Sequence, residues 1–264
     1  MGEIELEDLK QIQLEILIRV HEFCMSKRIN YSLSSGSLIG AVRHKGYIPW
    51  DDDIDIYMLR PDFERFEREF SDPYLRVMSP NADTKCIYPY GKVYDSRTVL
   101  IEDVDNSMDY MGVNIDVFVI DSVPDDVRER KRLFRKNKLL EDIIIFKTVR
   151  FRKGRSIYKN VCLLFGKLFF YLVPLKIIIN TKYNLCVPYK PSSKDICNVM
   201  AGGGINTCIP RDYMKDFVDI EFEGRAFRCM KDYDKYLRLN YGDYMQLPPE
   251  EKRVSTHVFK AFWK

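Results

Sequence analysis

Four aspartates fall within five consecutive positions of the segment Ile48-Pro49-Trp50-Asp51-Asp52-Asp53-Ile54-Asp55-Ile56, beside an isoleucine alternation. Clustered carboxylates repel one another, and each needs solvent or a cation. A chain that sets them against Ile54 and Ile56 is therefore constrained to bring positive charge to that place. From Asp53 onward, Ile54, Ile56 and Met58 alternate with Asp53, Asp55 and Tyr57, which is the period of a strand with one polar and one apolar face. Asp53 and Asp55 would then project from the same face, a spacing suited to one or two hard cations. Mg²⁺, with Mn²⁺ as an alternative, accepts a few carboxylate oxygens and leaves the rest of its shell to water and phosphate.

A second segment, Val113 to Ile120, places Asp116 in the middle of an otherwise apolar, β-branched strand. A lone buried carboxylate there would cost several kcal/mol or titrate to neutral. If the two strands are neighbours, Asp116 becomes a third ligand. Upstream, Gly36 and Ser37 form a turn whose glycine allows close backbone approach, while the serine hydroxyl and a helix start can hold phosphate oxygens. Such an arrangement serves nucleotidyl and phosphoryl transfer, in which two metals about 3.5 to 4 Å apart activate an attacking hydroxyl and neutralise the leaving phosphate. The competing reading is an exposed turn or a calcium loop. An EF-hand needs Gly at its sixth position and Glu at its twelfth, and counting from Asp51 these are Ile56 and Asp62.

The 264 residues are 46% hydrophobic and 13% aromatic, enough to bury a full core and incompatible with wholesale disorder. A net charge of only +3 excludes a surface that tracks nucleic acid throughout. The charge is uneven, however. Arg128 to Lys159 holds thirteen Lys or Arg against three acids, and Val161 to Ile179 is then almost wholly apolar apart from Gly166, Lys167, Pro174 and Lys176. Two lysines and a proline argue against a membrane span and for a buried or interfacial helix. The region 128–179 could touch a membrane surface peripherally, or be a solvated basic helix followed by a core helix. No recognised module supports nucleic-acid binding by the basic run, and none is expected. Seven cysteines without a CxxC pair suggest reduced thiols in the cytoplasm, and the acidic start MGEIELEDLK lacks the features of a signal peptide, so no export is expected.

Helical spacing of Leu9, Ile12, Ile16, Val20 and Phe23 predicts a helix from Leu6 to Phe23, followed by a strand at Ile29 to Leu33. A helix is expected from Pro61 through Phe70. Further strands are expected at 75–78, 86–94, 98–102 and 113–120, with Asp95-Ser96 as a hairpin bend, and a hairpin at 217–230. One catalytic domain is expected over 1–264: a core at about 6–125, a helical insertion at about 126–190, and a C-terminal part at about 191–264 that completes the site.

The run from Ser35 to Ile56, SGSLIGAVRHKGYIPWDDDIDI, resembles the signature block of the LicD family, whose members include bacterial phosphocholine transferases and whose eukaryotic relatives include fukutin and fukutin-related protein. Ile115-Asp116-Val117-Phe118 resembles the family too, as do Tyr241-Gly242-Asp243-Tyr244-Met245, Leu247-Pro248-Pro249, Arg253 and His257. The 126–210 region matches least. The resemblance implies an α+β fold, a nucleotidyltransferase-like mixed sheet flanked by helices, with the basic and apolar helical segment added. It implies transfer of a phospho-alcohol from a CDP-activated donor to a sugar hydroxyl with release of CMP, and Asp53, Asp55 and Asp116 as the metal-binding, catalytic carboxylates. Asp51 competes for a place among them. The zinc cysteines of fukutin-related relatives have no counterpart here, so no zinc is assigned.

Donor-binding candidates are Gly36, Ser37, Arg43, His44, Trp50, Lys92, Arg97, Arg253 and His257, with Arg43 and His44 facing the diphosphate, Lys92 and Arg97 flanking the bend, and Arg253 and His257 one helical turn apart. If the alcohol is choline, its ammonium calls for aromatic rings. Tyr47, Trp50, Tyr57, Tyr88 and Tyr90 are available, with Trp50 the foremost. The expected activity is Mg²⁺-dependent transfer of phosphocholine from CDP-choline to a glycan precursor of teichoic acid, lipopolysaccharide or capsule, lipid-linked and met at the inner face of the plasma membrane. CDP-ribitol or CDP-glycerol as donor, or a catalytically silent membrane-associated binding protein, are the alternatives.

Overall fold

A computed structural model describes residues 2–83, 85–102, 111–149, 151, 156–189, 193–254 and 259–264. In chain order the elements are β1 (Glu3–Ile4), α1 (Leu6–Lys27), β2 (Ser32–Leu33), α2 (Ser35–His44), β3 (Asp55–Leu59), α3 (Arg60–Glu69), β4 (Leu75–Met78), β5 (Gly91–Asp95), β6 (Thr98–Glu102) and β7 (Asn114–Ser122). There follow α4 (Val127–Thr148), α5 (Ile157–Phe169), α6 (Leu175–Tyr183), β8 (Asp195–Cys197), β9 (Ile209–Pro210), β10 (Phe217–Phe222), β11 (Arg225–Met230), α7 (Tyr233–Tyr241) and β12 (Phe259–Trp263). The fold is α+β, as the sequence implied.

The central mixed sheet runs β2-β3-β7-β5-β4, with β8 and β9 continuing from the far end of β7. Among the described residues its one parallel pair is β3 with β7, in a register that sets Asp55 opposite Asp116 and Tyr57 opposite Phe118. Because side chains alternate, Asp55, Tyr57, Asp116 and Phe118 share one face, and Ile56, Met58, Val117 and Val119 share the other. The second face lies in the main hydrophobic core, which α1 closes with Leu9, Ile16, Leu17 and Val20. Helix α1 is stopped at Arg28, whose left-handed backbone (φ 55°) lets its N–H reach the carbonyls of Cys24 and Met25.

Four expectations need correction. Asp53 does not share a strand face with Asp55, because β3 begins only at Asp55 and Asp53 lies in the loop before it. The strand expected from Cys86 begins only at Gly91. Strands β5 and β6 do not form a hairpin about Asp95-Ser96: β5 pairs with β4 and β7, whereas β6 pairs with β12 in a separate β1-β12-β6 sheet. The face of β3 expected to be polar is not a solvent face, since Asp55 and Tyr57 are buried along with Ile56 and Met58. The apolar run from Val161 is divided between α5 and α6 by a turn ending at Pro174, and no helix among the described residues is long and apolar enough to cross a membrane.

Candidate active site

The carboxylates are positioned by the turn between β2 and α2. The Asp55 N–H donates to the Ser37 hydroxyl (2.8 Å), and the Ser34 N–H donates to the Asp55 carbonyl (3.0 Å), so the start of β3 is bound to the start of α2. Gly36 leaves the room this needs: a Cβ there would lie 2.5 Å from Asp51 Oδ2. The Asp51 carboxylate thus rests against the helix N-terminus, where partial positive charge favours it. From the other side, Gln13 on α1 donates to the carbonyls of Asp52 (3.0 Å) and Asn114 (3.2 Å), joining the aspartate loop to β7. The loop before it is fixed by the β10–β11 turn, where Glu223 Oε1 accepts from the Tyr47 N–H (3.0 Å) and the Glu223 N–H donates to the Lys45 carbonyl (2.8 Å).

Asp51, Asp52 and Asp53 bring one carboxylate oxygen each within 4.8 Å of one another. Next to them, on the strand pair, Asp55 is raised well above the usual carboxylate range, first by burial and then by Asp53, Asp116 and Asp51 in that order. Lys92 offsets part of this. Its buried ammonium lies 2.5 Å from Asp116 Oδ1 and 3.0 Å from Asn114 Oδ1, and 4.7 Å and 5.5 Å from the rings of Tyr88 and Tyr90. Asp55 Oδ1 is buried with no hydrogen-bond partner. An orphaned carboxylate oxygen among three further acids, with all-oxygen donors around it, fits a hard divalent cation. Asp51, Asp52 and Asp53 have the mutual spacing to share such an ion, and Asp55 and Asp116, side by side on the strand pair, are the further carboxylates that could join them, with Asp116 also paired to Lys92.

A cavity of about 280 Å³ opens beside Asp55. Its walls include Tyr57 and Phe118 from the paired strands, Tyr236 and Tyr241 from α7, and Asn198 with Gly202 from the segment after β8. Tyr57 meets Tyr236 edge-on, with ring centroids 5.8 Å apart, and meets Phe118 likewise at 6.2 Å. The Tyr236 hydroxyl donates to that of Tyr57 (3.2 Å) and accepts from the Ser35 N–H (3.3 Å). Burial pushes the Tyr57 hydroxyl up to about 12, so it stays neutral at physiological pH. Two glycines shape the far wall. Gly202 has φ +84°, and a Cβ on Gly203 would strike the Asn198 carbonyl at 2.2 Å.

The remaining sequence candidates divide into two groups. Arg43, His44, Trp50 and Arg253 come together around the C-terminal loop. The Arg43 guanidinium donates to the carbonyls of Tyr244 (2.6 Å) and Gln246 (3.2 Å), His44 meets the Trp50 ring edge-on at 6.4 Å, and Arg253 lies 5.8 Å over Trp50 while donating to the Pro248 carbonyl. Arg97, by contrast, is not brought to the carboxylates. It pairs with the buried Asp95 at 2.5 Å, between Tyr74 and Trp263, at the opposite end of β5 from Lys92. Tyr47 packs on Phe222 with its hydroxyl on the Lys10 carbonyl, supporting the loop from beneath. His257 lies outside the described residues.

Sequence analysis gave no binding role to the wall residues Phe118, Tyr236, Tyr241 and Asn198. Phe118 carried a signal, being two positions beyond Asp116 on the same strand face, and Phe118 and Tyr241 both lie in segments that resemble the family. Tyr236 and Asn198 reach the cavity only through long-range packing of the C-terminal third.

A family model described as the LicD/FKTN/FKRP nucleotidyltransferase domain matches residues 28–137, a range that holds the Ser35–Ser37 turn, all the aspartates named above and Lys92. The chain is also 30% identical to the lipopolysaccharide cholinephosphotransferase LicD of Haemophilus influenzae, over 99% of each protein. A shorter match, 39% identical over 64 residues, joins it to an uncharacterised protein of Rickettsia typhi and covers 24% of this chain and 21% of that one.

Proposed function

This chain belongs to the LicD family, and on that premise we propose that it transfers phosphocholine from CDP-choline to a hydroxyl of a cell-surface glycan precursor, releasing CMP. The observation that carries the reading is the register of β3 against β7: it puts Asp55 and Asp116 side by side, next to the Asp51–Asp53 cluster and at the mouth of an aromatic cavity.

In the proposed reaction the acceptor oxygen attacks the phosphorus that bears choline. The bond from that phosphorus to the bridging oxygen breaks, CMP leaves with the bond's electron pair, and the acceptor proton passes to a carboxylate of the Asp51–Asp53 cluster and from there to solvent. Asp51 and Asp53, half-exposed, are the carboxylates a solvent-side acceptor would meet first. A bound Mg²⁺, or Mn²⁺, would supply charge neutralisation for the diphosphate. Lys92 would hold Asp116 in place and add positive charge facing the phosphates. Tyr57, Phe118, Tyr236 and Tyr241 would surround the quaternary ammonium, each good cation–π contact contributing about 0.5 to 2 kcal/mol. Unpaired thiols at all seven cysteines suit a site inside the cell, where we place the reaction.

The test is CMP release from a panel of CDP-choline, CDP-ribitol and CDP-glycerol, with and without Mg²⁺, in the presence of candidate glycan acceptors. Metal-dependent release from CDP-choline is expected. Release from a CDP-polyol alone would overturn the choline assignment and keep the transfer chemistry, and no release from any of the three would overturn both.

A further inference from the structure

Exposed large apolar side chains concentrate on α5 and the turn that follows it. Ile157, Val161, Leu164, Phe165, Leu168 and Phe169 recur at the spacing of one broad helix face, and all are exposed. The turn adds Leu172, at 87% the most exposed of them. Only a narrow strip of α5 faces inward: Leu163 is buried, and Gly166 lies so close to α4 that a Cβ would meet the Phe146 ring at 2.4 Å. Contiguous apolar surface of this kind marks an interaction site.

Charge identifies the partner. No Asp or Glu stands between Asp142 and Asp195 in the sequence. Lys147 donates to the Phe170 carbonyl at the turn (2.9 Å), Lys167 lies 5.7 Å from the Phe151 ring, and Lys159 is exposed in the first turn of α5. Helix α4 adds exposed Lys131, Arg132, Arg135 and Lys136. Two copies meeting through this face would oppose lysines with no acid between them, so self-association is disfavoured. The 13 residues of α5 span about 20 Å, short of the roughly 30 Å hydrocarbon layer.

We propose that α5 and the Phe170–Pro174 turn dock on a bilayer bearing anionic headgroups, the helix lying in the interface with its apolar face toward the acyl chains and the flanking lysines among the headgroups. This surface shares no residue with the carboxylate site, so its test is independent of the proposed transfer.

The full chain is to be co-sedimented with vesicles of phosphatidylcholine alone and of phosphatidylcholine mixed with phosphatidylglycerol. Partitioning about tenfold stronger onto the mixed vesicles, weakened by salt, is expected. The variant Phe165→Ser/Phe169→Ser/Leu172→Ser should keep the wild-type melting temperature and lose about tenfold or more in partitioning. Lys136→Glu/Lys159→Glu, which touches no packed side chain, should lose binding to the mixed vesicles selectively. Wild-type sedimentation by both variants would overturn the proposal. So would a dimer, seen by analytical ultracentrifugation, that the triple variant dissociates.

Discussion

The paired strands β3 and β7 and the helix α5 are both unusual surfaces, in opposite senses. On the strands, acid is drawn inward: Asp55 is buried beside Asp116 among further carboxylates, and its repulsion is relieved only in part by Lys92. On α5, apolar side chains are turned outward where water meets them. Each arrangement costs folding free energy in the isolated chain; the proposed cation would relieve the first and the proposed bilayer the second. The contrast separates what holds the protein together from what it holds ready for a partner.

The largest effect should come from the carboxylates. Asp55→Asn or Asp116→Asn is expected to lower CMP release by about 10³-fold. With a chelator present, Asp55→Asn should also melt higher than the wild type, by about 1 to 2 kcal/mol, because it removes a buried charge that its neighbours repel. A lower melting temperature for that variant would break the comparison at its first term.

Arg60 on α3 ties β7 to the end of α6. It pairs bidentately with buried Asp121 at 2.6 Å, donates to the Tyr183 carbonyl at the end of α6 (2.9 Å), and lies 4.7 Å from the Tyr183 ring. Arg60→Met would leave Asp121 buried without its partner, at a cost of about 3 to 5 kcal/mol in chemical denaturation. Adding Asp121→Leu should recover most of the loss, since the cost comes from the orphaned charge.

Smaller effects are expected around the site. Gly36→Ala places a methyl against Asp51 Oδ2 and should cost about 1 to 3 kcal/mol of stability, with activity falling because the aspartate loop is displaced. Tyr236→Leu should raise KM for CDP-choline by up to about 30-fold, the equivalent of one cation–π contact, and should affect CDP-glycerol less. Equal effects on both donors would assign Tyr236 to packing.

The clustering of the carboxylates was legible in the sequence because like charges side by side demand an explanation, although period 2 applies only from Asp55 onward: Asp53, expected on the same strand face, lies in the loop before β3. The neighbouring partnership of Asp116 needed only one assumption, that its strand lies beside β3. The aromatic cavity was legible only in part: Tyr57 was a candidate ring and Tyr241 lay in a family-like segment, but Tyr236 and Tyr241 come from α7, far along the chain, and no spacing rule connects a C-terminal helix to Asp55. Arg97 misled for a related reason. Its position near a bend suggested a hairpin aimed at the donor, whereas β6 departs into another sheet and Asp95 takes the guanidinium. In the 161–179 run, composition alone left a core helix and an interfacial helix equally open, because hydropathy does not record which face a neighbour covers.

That last ambiguity can be measured within one helix. Leu163 is 4% exposed and Leu168 is 64% exposed, five residues apart on α5. Leu163→Ala should cost about 2 to 5 kcal/mol, because it removes a buried side chain and leaves a cavity behind it. Leu168→Ala should fall within about 0.5 kcal/mol of the wild type, because its side chain gains nothing from folding alone. Melting the two variants side by side, without lipid, therefore asks whether the outward face of α5 contributes to the fold. A cost for Leu168→Ala approaching that of Leu163→Ala would mean that the face is already covered in solution, and the contrast between the strands and the helix would close.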